Sequence, residues 1–177
     1  MNRADALFDE LTALQADKRL PPVGRWHPER QGRIDIRIAA DGTWYHEGEP
    51  IRRKPLVRLF STILRKDADG FCLVTPAERL LIDVEDAPFV TTDLKVKGSG
   101  RSQQLLFVTN VDDYVLADAE HPIRVEGLPD HPRPYLHVRE GLDALIGRSD
   151  YYRLVDLCEP LDDGYWIRSA GSRFRLG

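Results

Sequence analysis

Two stretches of this chain carry the same pattern. Residues 53–74 (RKPLVRLFSTILRKDADGFCLV) and 148–168 (RSDYYRLVDLCEPLDDGYWIR) each read as a short helix, an acidic Asp-Gly turn and an apolar strand. With one gap, Arg53, Arg58 and Leu59 align with Arg148, Arg153 and Leu154, and Asp69-Gly70-Phe71 aligns with Asp163-Gly164-Tyr165. A helix of about three turns does not hold together alone in water, so each copy needs an apolar stripe packed on a sheet. Leu56, Leu59, Phe60 and Ile63 supply it in the first copy; Tyr151, Leu154, Val155, Leu157 and Cys158 supply it in the second. The repeat is first a packing unit. A doubled unit is expected to set its copies face to face, with the seam between them as a ligand site.

Strand signals fill most of the remaining chain. Ile34, Ile36 and Ile38 alternate with Asp35 and Arg37, the period of a half-buried strand, and Asp41-Gly42 turns it back into TWYHEG. FCLVT, RLLIDVE, FVTTDLKVKG and QQLLFVTN continue the pattern, with turns at residues 75–78 and 98–100. The proline-rich segment 120–139 reads as a bent edge strand plus loop before PYLHVR. One or two helices are expected over roughly residues 140–158, then a final hairpin about Ala170-Gly171. Residues 1–18 read as an amphipathic helix with Leu7, Leu11 and Leu14 on one face and Phe8 beside them. The connector RLPPVGRWHPERQG is too rich in breakers for regular structure and reads as a strap. These signals predict an α+β fold with duplicated strand-helix-strand motifs forming two β-rich lobes. The expected division is a helix and connector over 1–21, an N-terminal α+β lobe over 22–90 and a C-terminal β-rich lobe over 91–177.

Composition narrows the class. At 177 residues the chain is long enough to bury a real core, and 42% apolar with 31% charged residues is ordinary for a globular protein. A net charge of −4 argues against a protein built to wrap nucleic-acid phosphates. No leader-like apolar segment and no run long enough to span a bilayer is present, so a cytoplasmic location is expected. The two cysteines, Cys72 and Cys158, are too few for a disulfide scaffold and read as reduced core residues.

Four phrases in order, IDIRIAADGTWYHEGEPI, LVRLFSTILRKDADGFCLVTPAE, NVDDYVLADAEHPIRV and YLHVREGLDALIGRSDYYRLV, resemble the bacterial domain-of-unknown-function family 1285 over roughly residues 22–170. The resemblance implies a two-lobed α+β fold whose C-terminal lobe is superficially like a pleckstrin-homology domain. It also implies a nucleotide-like ligand at the lobe interface and a role in signal transduction. It assigns no catalytic residues.

The candidate binding residues follow from chemistry. Arg53 and Arg148 stand just before the two repeated helices, where backbone N–H groups favour anions and a guanidinium can grip phosphate. Arg124, His137 and Arg139 come from neighbouring strand-like segments. Asn110 and Asp112 end a strand, where a turn is the ordinary reading and a ribose contact the functional one. Tyr152 offers a ring for a base. His121-Pro122 and His131-Pro132 lack any compact metal-ligand spacing, and neither GxSxG nor a phosphate loop is present. No cofactor or metal is therefore expected. The expectation is a non-enzymatic ligand-binding or regulatory protein that takes a small anionic, nucleotide-like molecule. A protein–protein adaptor using an exposed strand edge is the alternative, and an enzyme of another type ranks below it.

Overall fold

The computed structural model describes residues 3–177, which divide into two compact units: residues 19–88 with 140–142, and residues 3–18 with 89–139 and 143–177. Helix α1 (Arg3–Asp17) opens the chain and belongs to the second unit.

The first unit is one curled sheet with a helix. Its elements are β1 (Arg30–Ile38), β2 (Trp44–His46), β3 (Glu49–Pro50), α2 (Lys54–Thr62), β4 (Leu64–Asp67), β5 (Gly70–Val74) and β6 (Glu78–Val84). The sheet runs β3-β2-β1-β6-β5-β4, with β1 and β6 parallel and the other neighbours antiparallel. Asp41-Gly42 makes the expected turn: Gly42 sits at φ +88° and the Thr43 N–H donates to Asp41 Oδ1 at 2.9 Å. This aims Trp44 into the core, where it is 1% exposed, while Tyr45 lies under the Arg37 guanidinium at 4.3 Å. Pro55 sits in the first turn of α2, where a missing N–H costs nothing.

The connector carries one 3-10 turn at Val23–Arg25, and its last three residues, 30–32, already belong to β1, against the expectation of no regular structure. Arg65 on β4 holds it: one guanidinium nitrogen donates to the Val23 and Trp26 carbonyls at 2.8 Å each. The rest of the fork grips Asp67 through two 2.8 Å bonds, and Arg79 reaches the same carboxylate at 2.7 Å. The two guanidinium groups hold the Asp67 carboxyl down at about 2.

The second unit holds β7 (Phe89–Lys97), β8 (Gln104–Thr109), β9 (Tyr114–Leu116), β10 (Ile123–Leu128), β11 (His131–Arg139), β12 (Leu142–Leu145), α3 (Arg148–Leu157), β13 (Glu159–Leu161), β14 (Gly164–Ser169) and β15 (Ser172–Arg175). Its main sheet runs β10-β11-β12-β7-β8-β9, and β13-β14-β15 form a smaller sheet. Phe89, Leu105, Phe107, Leu136, Leu154 and Ile167 are fully buried in its core. Ser169 stitches the sheets together: its hydroxyl donates to the Ala117 carbonyl at 2.6 Å and accepts from the Leu105 N–H at 2.9 Å. A buried serine is tolerated because both roles of its oxygen are filled.

Several expectations need correction. Residues 142–145 form β12 rather than helix, so α3 alone covers the segment read as helical. In α1, Phe8 is buried, whereas Leu7 and Leu14 are 47% and 61% exposed. The helix docks through Phe8 and polar contacts instead: the Tyr114 N–H donates to Gln15 Oε1 at 3.0 Å, Lys97 pairs with Asp9, and Lys18 pairs with Asp113. The proline-rich segment is a hairpin already strand-like from His131. Leu59 and Val155, assigned to buried stripes, are largely exposed. Short strands β4 and β13 also stand between each repeated helix and its Asp-Gly turn, so the repeated unit is helix plus hairpin.

Candidate binding groove

One concave feature of the second unit is lined in part by its edge strand, β10. The Pro134 carbonyl accepts from the Ile146 N–H at 2.9 Å, so it points away from β10. Pro122, one residue before β10, accepts from the His137 N–H at 3.0 Å. In an antiparallel pair, bonded and non-bonded positions alternate. Arg124 and Glu126 therefore bond to β11, while Val125 turns its N–H and C=O groups away from β11. Prolines 132 and 134 sit opposite Gly127 and Val125, positions from which β11 donates nothing to β10.

Beside this edge lies a cavity of about 660 Å³. Val125, Leu128, Pro129 and Pro132 form one wall; Tyr151 and Val155 of α3 form another. Tyr165 and Arg175 of the small sheet, with Leu176 just after it, close the far side. Its lining is mainly hydrocarbon, with Glu126 and Arg175 as charged members. Three exposed large apolar residues gather here: Leu128 is 66%, Tyr165 58% and Val155 45% exposed. Such clustering marks a recognition surface more than scattered single residues do.

Cys158 opens onto the same cavity, which corrects its reading as a core residue; Cys72 is fully buried in the first unit. Burial pushes the Cys158 thiol up from its ordinary range, so it is a mostly protonated wall residue at neutral pH rather than an activated nucleophile.

The sequence-nominated residues lie in several places. Arg124 and His137 are brought together on the sheet face opposite Val125, through a residue the sequence reading did not nominate. Asp143 on β12 accepts from Arg124 at 2.9 Å through one oxygen and meets His137 Nδ1 at 3.0 Å through the other. Arg124 also bonds Glu126 at 2.8 Å and lies 4.8 Å from the Tyr135 ring centroid. Arg139 is committed elsewhere, to the buried carboxylate of Asp113 at 3.2 Å and over the face of Phe89 at 5.3 Å. Asn110 and Asp112 form the ordinary turn: Asn110 Oδ1 accepts from the Val90 N–H at 3.1 Å, and Asp112 takes φ +60°. Arg53 and Arg148 are exposed, and neither makes an ion pair among the described residues. Tyr152, 59% exposed, stands one turn beyond Arg148 on α3.

The groove residues escaped sequence reading because they come from separate segments, from Val125 on β10 to Gly177 at the last position. The one local signal was the alternation of prolines 132 and 134, which marks an edge hairpin. No described helix is long and apolar enough to cross a membrane.

Fold and groove together define a two-unit, mostly β, α+β protein with an apolar recess in its second unit. The chain belongs to the DUF1285 family: the family's N-terminal domain of unknown function matches residues 21–87 and its C-terminal domain matches residues 88–176. A crystal structure of a DUF1285 family protein from Silicibacter pomeroyi DSS-3 is similar at 48% identity and a TM-score of 0.85, covering 94% of this chain and 93% of that one. A second, from Shewanella baltica OS155, is similar at 28% identity and a TM-score of 0.53, covering 68% of this chain and 90% of that one. No curated protein matches the chain.

Proposed function

We propose that this is a non-catalytic recognition protein that acts in the cytoplasm as a regulatory adaptor, its C-terminal unit serving as a pleckstrin-homology-like scaffold that takes an apolar segment of a partner protein. The observation that carries this reading is the gathering of Leu128, Val155, Tyr165 and Cys158 around one open cavity. The charged groups nearby support it too. Arg124, Asp143 and His137 satisfy one another, and Arg139 is neutralised by Asp113, so neither arginine is held ready for a substrate anion. Parallel affinity capture with wild type, Val155→Glu and Leu128→Glu tests it. Both side chains are exposed, so a charge there leaves the fold intact. Partners should be depleted several-fold by both variants; identical captured sets would defeat the reading.

A second reading keeps the small anionic, nucleotide-like ligand. Its support is the pairing of Arg148 and Tyr152, both exposed and one turn apart on α3, which sets a phosphate-binding fork beside a ring that can stack on a base. Arg53 stands at the equivalent helix start of the other module. A thermal-shift screen against nucleotides tests it. A ligand at one hundred times its dissociation constant adds roughly 2.7 kcal/mol of apparent stability. Arg148→Ala should abolish that gain, and a flat response across the panel would count against the ligand.

A further inference from the structure

We infer that the basic entry to α2 seats the first unit on an anionic lipid surface, a role separate from the recess of the second unit. The chain carries a net charge of −4, yet between Glu49 and Asp67 it has no acid and six cations: Arg52, Arg53, Lys54, Arg58, Arg65 and Lys66. Arg65 is spent on Asp67 and the connector carbonyls. Arg52, Arg53 and Lys54 are exposed and make no ion pair among the described residues. Three adjacent uncompensated cations are drawn to a continuous field of negative charge, and each adds to the attraction close to such a surface.

Packing decides which way α2 faces. Ser61 is 3% exposed, and Phe60 stacks on buried Trp44 with ring centroids 6.2 Å apart. The helical repeat then leaves Lys54, Pro55, Arg58 and Leu59 on the outward side, and all four are exposed. Pro55 and Leu59 form one row of that face, beside the row of Lys54 and Arg58. Leu59 is a large apolar side chain left 60% exposed. Helical side chains lean towards the helix start, so Leu59 tilts towards Pro55 and the cations. An apolar tip among cations is how a helix lies in a membrane interface, its charges on the headgroups and its hydrocarbon below them.

The pairing of features selects the partner. A soluble phosphate engages the cations and leaves Leu59 in water, and a nucleic-acid backbone does the same. A bilayer surface uses both, because it offers many anionic headgroups above an apolar layer.

The test sediments the full chain with vesicles of phosphatidylcholine alone or with about one-third phosphatidylglycerol. Binding should require the anionic lipid and should fall steeply between about 0.1 M and 1 M salt, as the screening length shrinks from ~10 Å to ~3 Å. Arg52→Gln, Arg53→Gln and Lys54→Gln should each weaken it about fivefold. Arg30→Gln removes a cation outside this run and should change it little. Leu59→Ser should weaken binding several-fold, and Leu59→Trp should match or exceed wild type. These side chains are exposed, so the variants keep the fold, and the salt series needs no variant at all. No sedimentation with the anionic vesicles at low salt, or equal sedimentation with both compositions, would overturn the inference. Indifference to Leu59→Ser, with displacement of the protein by inorganic phosphate, would replace the lipid surface with a soluble anion. Retention on duplex DNA through the same cations, without vesicle binding, would make nucleic acid the occupant and overturn the lipid assignment.

Discussion

Gly70 and Gly164 occupy the same point of two separate helix–hairpin modules, each closing the two-residue turn before the second strand, at φ +134° and +142°. Their surroundings differ. A β-carbon on Gly70 would meet only the tip of Leu81 at 4.0 Å, whereas one on Gly164 would fall 2.2 Å from the Gly177 carbonyl oxygen.

Gly70→Ala should therefore cost only the backbone strain of a left-handed residue, about 1–2 kcal/mol. Gly164→Ala carries the same strain and must also displace the chain after β15, so its loss should be clearly larger. Equilibrium urea unfolding of the two variants checks this; equal losses would contradict the assigned geometry.

These modules also show how far the sequence could be read. Asp69-Gly70 and Asp163-Gly164 announced turns because only glycine takes such φ values without strain. The short strands ahead of them did not announce themselves. In Ile63-Leu64-Arg65 the apolar rhythm of α2 runs on without a break, and the β4 ladder rather than local preference ends the helix. Leu142-Asp-Ala-Leu145 was misread for a related reason: pairing with Phe89 and Val90 makes it a strand. The groove lay beyond sequence reading because only tertiary packing brings Val125 near Val155 and Tyr165.

The Arg65–Asp67–Arg79 cluster makes the strap acid-sensitive. The Asp67 carboxyl titrates at about 2 when folded against an ordinary 3.8. Its contribution is therefore present above about pH 4 and is lost as pH falls through about 2. Because the site is partly solvated, roughly 1–2 kcal/mol is expected. Asp67→Asn should flatten the acid limb of the stability curve. Arg65→Met should loosen Val23 and Trp26, read as faster amide exchange in residues 21–28.

Asp150 carries the opposite sign. It is 3% exposed, and its carboxylate accepts from the Thr91 hydroxyl at 2.7 Å. Burial raises its pKa, so the folded state prefers the protonated acid, and stability falls as pH rises through the raised value. Asp150→Asn keeps an acceptor for Thr91 and drops the charge, so it should equal or exceed wild type near neutral pH. Wild type should gain on it as the solution is acidified. Asp150→Ala strands the Thr91 hydroxyl and should cost about 1–2 kcal/mol. Thermal melts of the three proteins across pH decide the sign.

Asp113 fastens α1. Its buried carboxylate is shared by Lys18, just beyond α1, and Arg139 on β11. Asp113→Ala leaves Arg139 without this partner and should cost about 3 kcal/mol, since breaking a buried pair is far dearer than losing a surface one. Lys18→Ala should cost about 1 kcal/mol or less and act mainly through fraying of α1. Hydrogen exchange along residues 3–17 separates the two effects.

The proposed partner-recognition face is the recess lined by Val125, Val155 and Tyr165. Hydrogen–deuterium exchange on the complex with a captured partner tests that most directly. Slowed exchange at Val125 and Gly127, with lesser slowing across Tyr151–Val155, is the predicted result. Unchanged exchange throughout residues 123–128, with protection gathered instead at the helix starts near Arg53 and Arg148, would contradict it.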